Sequence, residues 1–221
     1  DIPVLKRVEG KGKVVPNSNV LVTVESTVDD ERIIALTTYM ETMLMRLWHP
    51  TTVATTSYHI KEIIYDGLVK TADDPDAEIP FKLHDFGSRG VSSMEAAAFG
   101  GAAHLVNFMG SDTTVGIMAA NIGYNEQMAG FSIPATEHST TTSHGRDGEE
   151  ALVERMFEKF AAPGALFATV ADSYDIMNFV EKIAPKFKER LRASGATWVI
   201  RPDSGDPVET PVELVRRLAH I

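Results

Sequence analysis

The sequence predicts an α/β protein with parallel strands, arranged as an open sheet or as part of a (β/α) barrel. Three observations predict it. Short apolar runs occupy residues 81–86, 105–109, 131–133, 166–170 and 198–200, and their starts lie roughly 25 to 35 residues apart, the length of one strand-helix unit. Helix-like segments lie between the runs. Each run leads into polar residues, the place where such folds build their ligand sites.

In chain order, NVLVTV at residues 19–24 is rich in β-branched residues and follows the turn-forming Pro16-Asn17-Ser18, which predicts a strand. A helix is expected next, capped by Asp29 or Asp30. Its apolar stripe of Ile33, Leu36, Met40, Met43, Leu44 and Leu47 would face a core, and His49-Pro50 would end it. A second helix is expected over residues 53–69, then an acidic, proline-containing loop over 71–76. Beyond Pro80 the strand-helix alternation begins. Its helices are predicted after Ser92-Ser93, over 149–160, over 174–191 with a stop at Gly195, and from about Pro207 onward to Ile221. A closed barrel needs about eight strands. Five runs and one upstream candidate fall short, so either the sheet is open or the remaining units lie outside this chain. Residues 1–80 are expected to lead into a partial barrel formed by 81–221.

Composition narrows the function classes. Lys and Arg total 21 against 31 Asp and Glu, a net charge of −10, so no broad basic surface offers the footprint of a nucleic-acid binder. The longest apolar stretches fall far short of the roughly 20 residues needed to cross a bilayer. There are no cysteines, which removes disulfides, thiolate catalysis and cysteine-bound zinc, and fits a cytoplasmic setting. The start at Asp1-Ile2-Pro3, without Met, predicts a processed or partial product. Phe99-Gly100-Gly101 does not provide the glycine fingerprint of dinucleotide binding after a strand.

The segments after the runs carry the chemistry: His84-Asp85-Phe86-Gly87-Ser88-Arg89, Gly110-Ser111-Asp112, Glu137-His138-Ser139, Asp172-Ser173-Tyr174-Asp175, and Arg201-Pro202-Asp203-Ser204-Gly205-Asp206. In a parallel fold they lie at the carboxyl edge of the sheet. Asp and Ser also serve as ordinary helix caps, so any one loop has a structural reading. Five in succession favour a site. Arginines in these loops would supply the planar, permanently charged forks that match phosphate oxygens.

The segments KLHDFGSRGVSSMEAAAFGGAAHLVNFMGSDTT, GFSIPATEHSTTTSHG, VADSYDIMN and VIRPDSGDP, in this order and spacing, resemble the core of the nicotinate/nicotinamide phosphoribosyltransferase family. LWHPTTVATTS resembles the region preceding that core, so the resemblance covers nearly the whole chain. It implies an irregular (β/α) barrel of the type II phosphoribosyltransferase kind, incomplete in this chain. It implies transfer of the phosphoribosyl group from 5-phosphoribosyl 1-pyrophosphate to nicotinamide, giving nicotinamide mononucleotide and pyrophosphate in NAD salvage. Magnesium with the pyrophosphate, ATP as a coupling substrate, and a homodimer sharing its site between subunits are implied as well.

Residue by residue, the resemblance makes Phe86 the aromatic that stacks on the pyridine ring, Arg89 a pyrophosphate-binding group, and Asp112 the carboxylate that reads the carboxamide. His138 corresponds to the histidine phosphorylated when ATP hydrolysis is coupled, with Asp172 a candidate to orient it, while Arg201 and Asp203 match the pair contacting the nucleotide product. His84 is a weaker candidate, supporting its loop. Asp112 carries the specificity argument, because an ionised carboxylate only accepts hydrogen bonds and would favour an amide over a carboxylate substrate. No metal ligand is named, since magnesium would ride mainly on pyrophosphate and water.

Ser88 stands where the family pattern has an aromatic residue. The amino-terminal region and the carboxyl-terminal glycine-rich loop of the family have no counterpart in these residues, so the chain is expected to be a middle portion. Two alternatives stay open: a catalytically incomplete fragment or relative that dimerises or binds nucleotide, and a nicotinate-specific enzyme or another barrel enzyme such as a lyase.

Overall fold

The computed structural model describes residues 15–221. They fall into two compact units that part between Ser132 and Ile133. No helix among the described residues is long and apolar enough to cross a membrane.

The first unit opens on a turn in which the Asn19 N–H donates to the Pro16 carbonyl at 3.3 Å, with Ser18 at φ 69°. The strand expected at residues 19–24 does not form, and Val20 and Val22 are exposed. β-branched residues favour a strand only where a neighbour completes the ladder, and no described segment pairs here. Helix α1 (Leu36–Arg46) starts later than expected, because Asp30 closes a local turn, accepting from the Arg32 N–H at 2.9 Å. None of its residues is buried, so its apolar stripe does not face a core among the described residues.

Helix α2 (Trp48–Thr71) includes His49-Pro50 in its first turn, where sequence placed a helix stop. A first-turn residue has no intrahelical acceptor for its N–H, so proline loses nothing there. The acidic loop then gives way to a single turn, α3 (Pro75–Glu78), capped by Asp74, which accepts from the Ala77 N–H at 3.0 Å.

Strand β1 (His84–Asp85) precedes α4 (Met94–His104), which Ser93 caps by accepting from Ala96 N–H at 3.1 Å. The strand expected at 105–109 is displaced. The N–H groups of residues 105–108 bond back to carbonyls of α4, and Phe108 buries against Leu68 and Ile79. Pairing instead occupies β2 (Gly110–Ser111), parallel to β1 with His84 opposite Gly110, and Phe131 bridges Gly110 in parallel on the other side. Gly110 must be glycine, since a Cβ there would meet His84 Nδ1 at 2.8 Å. Helix α5 (Thr114–Tyr124) then packs on α4 through Gly101 and Gly116, where a Cβ on Gly116 would lie 2.7 Å from Gly101 Cα.

The second unit begins with residues 133–137 and α6 (His138–Ser143), followed by the amphipathic α7 (Glu149–Phe160) at the predicted bounds. Strand β3 (Leu166–Val170) also matches. The helix expected over 174–191 is broken into α8 (Ile176–Asn178), a π-helical turn over Phe179–Ile183, a 3-10 turn over Ala184–Phe187 and α9 (Lys188–Ser194). Pro185 explains the break, because it has no N–H to bond the preceding turn. Gly195, at φ 66°, ends α9 in the left-handed conformation as expected.

Strand β4 (Thr197–Arg201) pairs in parallel with β3, Phe167 opposite Trp198, and α10 (Glu209–Leu218) follows, closing before Ile221. Ala135 bridges Ala168 in parallel, so the order is residue 135, β3, β4. The core under this sheet is aromatic: Phe157 stacks on Phe187 at 4.9 Å and meets Trp198 edge-on at 5.0 Å, with Phe167 and Phe179 fully buried beside them. Among the described residues neither unit closes a barrel by itself.

His104 ties the first unit together. Its Nε2–H donates to the Gly110 carbonyl at 3.0 Å, Nδ1 lies 3.4 Å from Ser57 Oγ, and the ring stacks on Phe108. Burial pushes its pKa below the ordinary histidine value, against the opposing pull of the Gly110 carbonyl. The folded state therefore holds the neutral ring, while the unfolded chain binds a proton first as pH falls. The resulting stability is present above about pH 6.5 and is lost below it. His104→Gln is expected to flatten this loss, measured as urea midpoints at about pH 7.5 and about pH 5.5.

Candidate functional site

In each unit three parallel neighbours place their carboxyl ends side by side, and the polar residues singled out from sequence sit there. Phe86, Arg89 and Asp112 belong to the first unit. His138, Asp172, Arg201 and Asp203 belong to the second.

At the end of β1, the Asp85 carboxylate accepts from Gly87 N–H at 2.7 Å and folds the next residues into the 3-10 turn Gly87–Gly90. That turn leaves Phe86 and Arg89 exposed. The His84 ring lies against Phe86, with centroids 4.6 Å apart and planes tilted by 35°. Asp112 is fixed by its backbone, whose N–H donates to the Asp85 carbonyl at 2.9 Å and carries the ladder one residue past β2. Ser132, next to the bridging Phe131, donates its hydroxyl to Asp112 Oδ1. His84 Nε2 lies 3.2 Å from the same oxygen, close but without hydrogen-bond alignment, so this buried nitrogen has no bonded partner. The Asp112 side chain is 40% exposed, which leaves its carboxylate accessible from solvent.

In the second unit the anchor is Asp172. Its side chain is only 4% exposed, and it stands two residues past β3, where the Ala171 N–H donates to the Arg201 carbonyl at 3.1 Å and prolongs the ladder. Oδ1 faces His138 Nε2 at 3.1 Å. Oδ2 accepts from Ser204 Oγ at 2.5 Å and from the Asp203 N–H at 3.0 Å. Burial, the largest influence, raises its pKa, but the donors from Ser204, Asp203, His138 and its own backbone together hold it below the ordinary carboxylate value. The ionised carboxylate can only accept, so the contact requires the proton on His138 Nε2. In the neutral ring Nδ1 then carries the lone pair. It lies 3.7 Å from Asp203 Oδ2, on a side chain that is 40% exposed. A fixed tautomer with a reachable lone pair is what a nucleophilic imidazole needs.

His138 opens α6 because the preceding segment is locked to β3. Thr136 N–H donates to the Ala168 carbonyl at 3.2 Å, and its buried hydroxyl accepts from Val170 N–H at 2.9 Å, standing in for a ladder carbonyl. Arg201, the last residue of β4, directs Nη2 to the Thr136 carbonyl at 3.4 Å and lies 3.7 Å from Glu137 Oε1. Sequence reasoning named Asp172, His138 and Asp203 but missed Thr136, Ser132 and the hydroxyl of Ser204. Their only signal was position, a hydroxyl at or just beyond a strand end.

Removing the shared acceptor strands three donors. Asp172→Ala is expected to lower the stability of the protein by about 1–3 kcal/mol at neutral pH, read from urea denaturation, while Ser204→Ala costs less because it removes one donor only.

A sequence model of the nicotinate phosphoribosyltransferase (NAPRTase) family matches residues 81–221. Among curated relatives, a protein of Xanthomonas campestris pv. campestris (strain 8004) named "Nicotinamide phosphoribosyltransferase" is 52% identical over 209 residues, covering 94% of this chain and 44% of that protein. Two proteins of the same name are more distant. That of Mycoplasma genitalium is 32% identical over 93% of this chain and 43% of its own length, and that of Acinetobacter baylyi is 34% identical over 79% and 36%. The chain thus spans less than half the length of these relatives. A match over residues 81–221, holding every one of the site residues above, decides the family: the chain belongs to the nicotinate phosphoribosyltransferase family.

Proposed function

We propose that the protein carrying this chain transfers the phosphoribosyl group of 5-phosphoribosyl 1-pyrophosphate to nicotinamide, releasing pyrophosphate and forming nicotinamide mononucleotide for NAD salvage. The observation that carries this reading is an exposed aromatic face, Phe86, and an exposed carboxylate, Asp112, set around His84, in a chain 52% identical over 94% of its length to a protein named for that activity. A pyridine ring bearing a carboxamide has the complementary features, a π-face to stack and an N–H to donate.

In this reaction the bond from ribose C1 to pyrophosphate breaks while the pyridine nitrogen bonds to C1. Positive charge grows on the sugar and negative charge on the departing oxygens, and fixed donors against those oxygens lower the barrier. Arg89 takes that role. Asp112 accepts from the carboxamide N–H and repels the carboxylate of nicotinic acid. Arg201 and Asp203 hold the nucleotide product, the carboxylate accepting from ribose hydroxyls. His138 attacks the γ-phosphorus of ATP through Nδ1, the new N–P bond forming as the bond to the bridging oxygen breaks and ADP leaves, with Asp172 keeping the ring in the tautomer that exposes that lone pair.

Among the described residues no group of three or more His, Asp or Glu is arranged to hold a metal ion. Because magnesium prefers phosphate oxygens and water, it enters this proposal on the pyrophosphate and its waters, and no residue is assigned to hold it. The proposal extends to an irregular (β/α) barrel of the type II kind, with residues 81–221 forming part of it and 1–80 leading in, to a homodimer, and to a cytoplasmic setting.

The test is to supply the protein with nicotinamide, phosphoribosyl pyrophosphate and magnesium, with nicotinic acid in competition. Nicotinamide mononucleotide and pyrophosphate are expected in equal amounts. Asp112→Asn is expected to reduce the preference for nicotinamide by roughly a hundredfold, equivalent to about 2.7 kcal/mol. Consumption of nicotinic acid in preference would assign the nicotinate-specific reaction instead. No product with either base would leave a nucleotide-binding or dimerising role.

A further inference from the structure

We infer that Ser132 and His84 are positioning residues that lock Asp112, and that together they decide which of its oxygens meets the substrate. The inference rests on the reading of Asp112 given above and adds the groups that make it work. Two groups converge on one oxygen: the Ser132 hydroxyl donates to Asp112 Oδ1, and the buried His84 Nε2, not aligned for a hydrogen bond, sits 3.2 Å from that same atom. Oδ2 is left as the acceptor for an incoming amide N–H. A carboxylate on an exposed loop would otherwise turn about its last torsion, which is broad and roughly two-fold. Tying Oδ1 removes that freedom before the substrate arrives, so less ordering is needed on binding.

His84 does a second thing. Its ring lies 4.6 Å from Phe86, so one side chain sets the distance between the aromatic face and the carboxylate, the two groups that a flat aromatic amide must meet at once. Its own placement is built into the sheet. Gly110 faces it across the β1–β2 pair without a Cβ, and a Cβ there would lie 2.8 Å from His84 Nδ1. Ser132 is held equally well, because the adjacent Phe131 bonds on both sides of Gly110, its N–H to the Met109 carbonyl at 2.7 Å and its carbonyl to the Ser111 N–H at 3.0 Å. The buried Nε2 without an aligned partner fits a group that swings the short way into line on Asp112 when the amide is seated.

The test compares Ser132→Ala, Ser132→Thr and His84→Phe with Asp112→Asn in the intact protein, reading KM and kcat for nicotinamide and for nicotinic acid and the KM for phosphoribosyl pyrophosphate. Ser132→Ala is expected to raise the nicotinamide KM about tenfold, with kcat and the phosphoribosyl pyrophosphate KM within about twofold, and to narrow the nicotinamide preference in parallel. Ser132→Thr keeps the hydroxyl and should restore both values. His84→Phe keeps a ring against Phe86 but not Nε2, and should narrow the preference as well. A general loss of folding would instead lower kcat for every substrate. Unchanged nicotinamide KM and preference in both Ser132→Ala and His84→Phe, while Asp112→Asn changes them, would overturn this inference alone. An Asp112→Asn protein that keeps the full preference would overturn the role of Asp112 and this inference with it.

Discussion

The placement of His138, Asp203 and Ser204 in the second unit depends on one buried carboxylate at the end of a parallel strand. Parallel pairing sends all carboxyl ends to the same edge, which places residues 136–138, Asp172 and residues 201–204 side by side. Adjacency alone does not fix side chains. Asp172 does so by accepting three donors from two segments at once: the His138 ring from one, and the Ser204 hydroxyl and the Asp203 backbone from the other. Burying a charge is unfavourable, and the carboxylate stays ionised there only because its oxygens are filled with donors. The same donors thereby become part of the site, and the imidazole they surround has its tautomer chosen for it.

The first unit uses a carboxylate differently. Asp112 has its backbone pinned by the ladder and one oxygen tied, yet its side chain is 40% exposed, ten times the exposure of Asp172. A buried, saturated carboxylate organises other groups. An exposed one with a free oxygen is suited to meet a ligand. Both stand one or two residues beyond a strand, so the difference comes from the surroundings: donors crowd both oxygens of Asp172, whereas Ser132 and His84 approach Asp112 on one oxygen only.

What the sequence revealed followed the strength of the local pattern. β3 and α7 were legible because most of their apolar residues are also the buried ones, Phe167 and Val170 on the strand and Val153 and Phe157 on the helix, and β4 because Trp198 and Ile200 pack, partly buried, against the same core. Residues 105–109 look equally strand-like, but α4 carries its hydrogen bonding through them and Phe108 is needed in the core. Pro50 and Pro185 misled in opposite directions: the first sits harmlessly in an opening turn, while the second splits what periodicity presented as one helix. The valines of 19–24 show that propensity without a partner strand makes nothing. In the site, the charged and imidazole residues were visible because few residue types do their chemistry. Ser132, Thr136 and the part played by the Ser204 hydroxyl were not, since a serine or threonine in a loop looks alike whether it bonds solvent or a carboxylate. The parting of the two units at Ser132 has no compositional mark at all.

The tautomer of His138 tests the account most directly, because it follows from the Asp172 contact and from nothing else in the argument. Nitrogen-correlated proton spectra of the histidine rings, with His138 assigned through His138→Gln, report which ring nitrogen bears the proton. The account predicts a downfield, slowly exchanging proton on Nε2, bonded to a carboxylate and lost in Asp172→Ala. A neutral ring protonated on Nδ1 in the unaltered protein would contradict it.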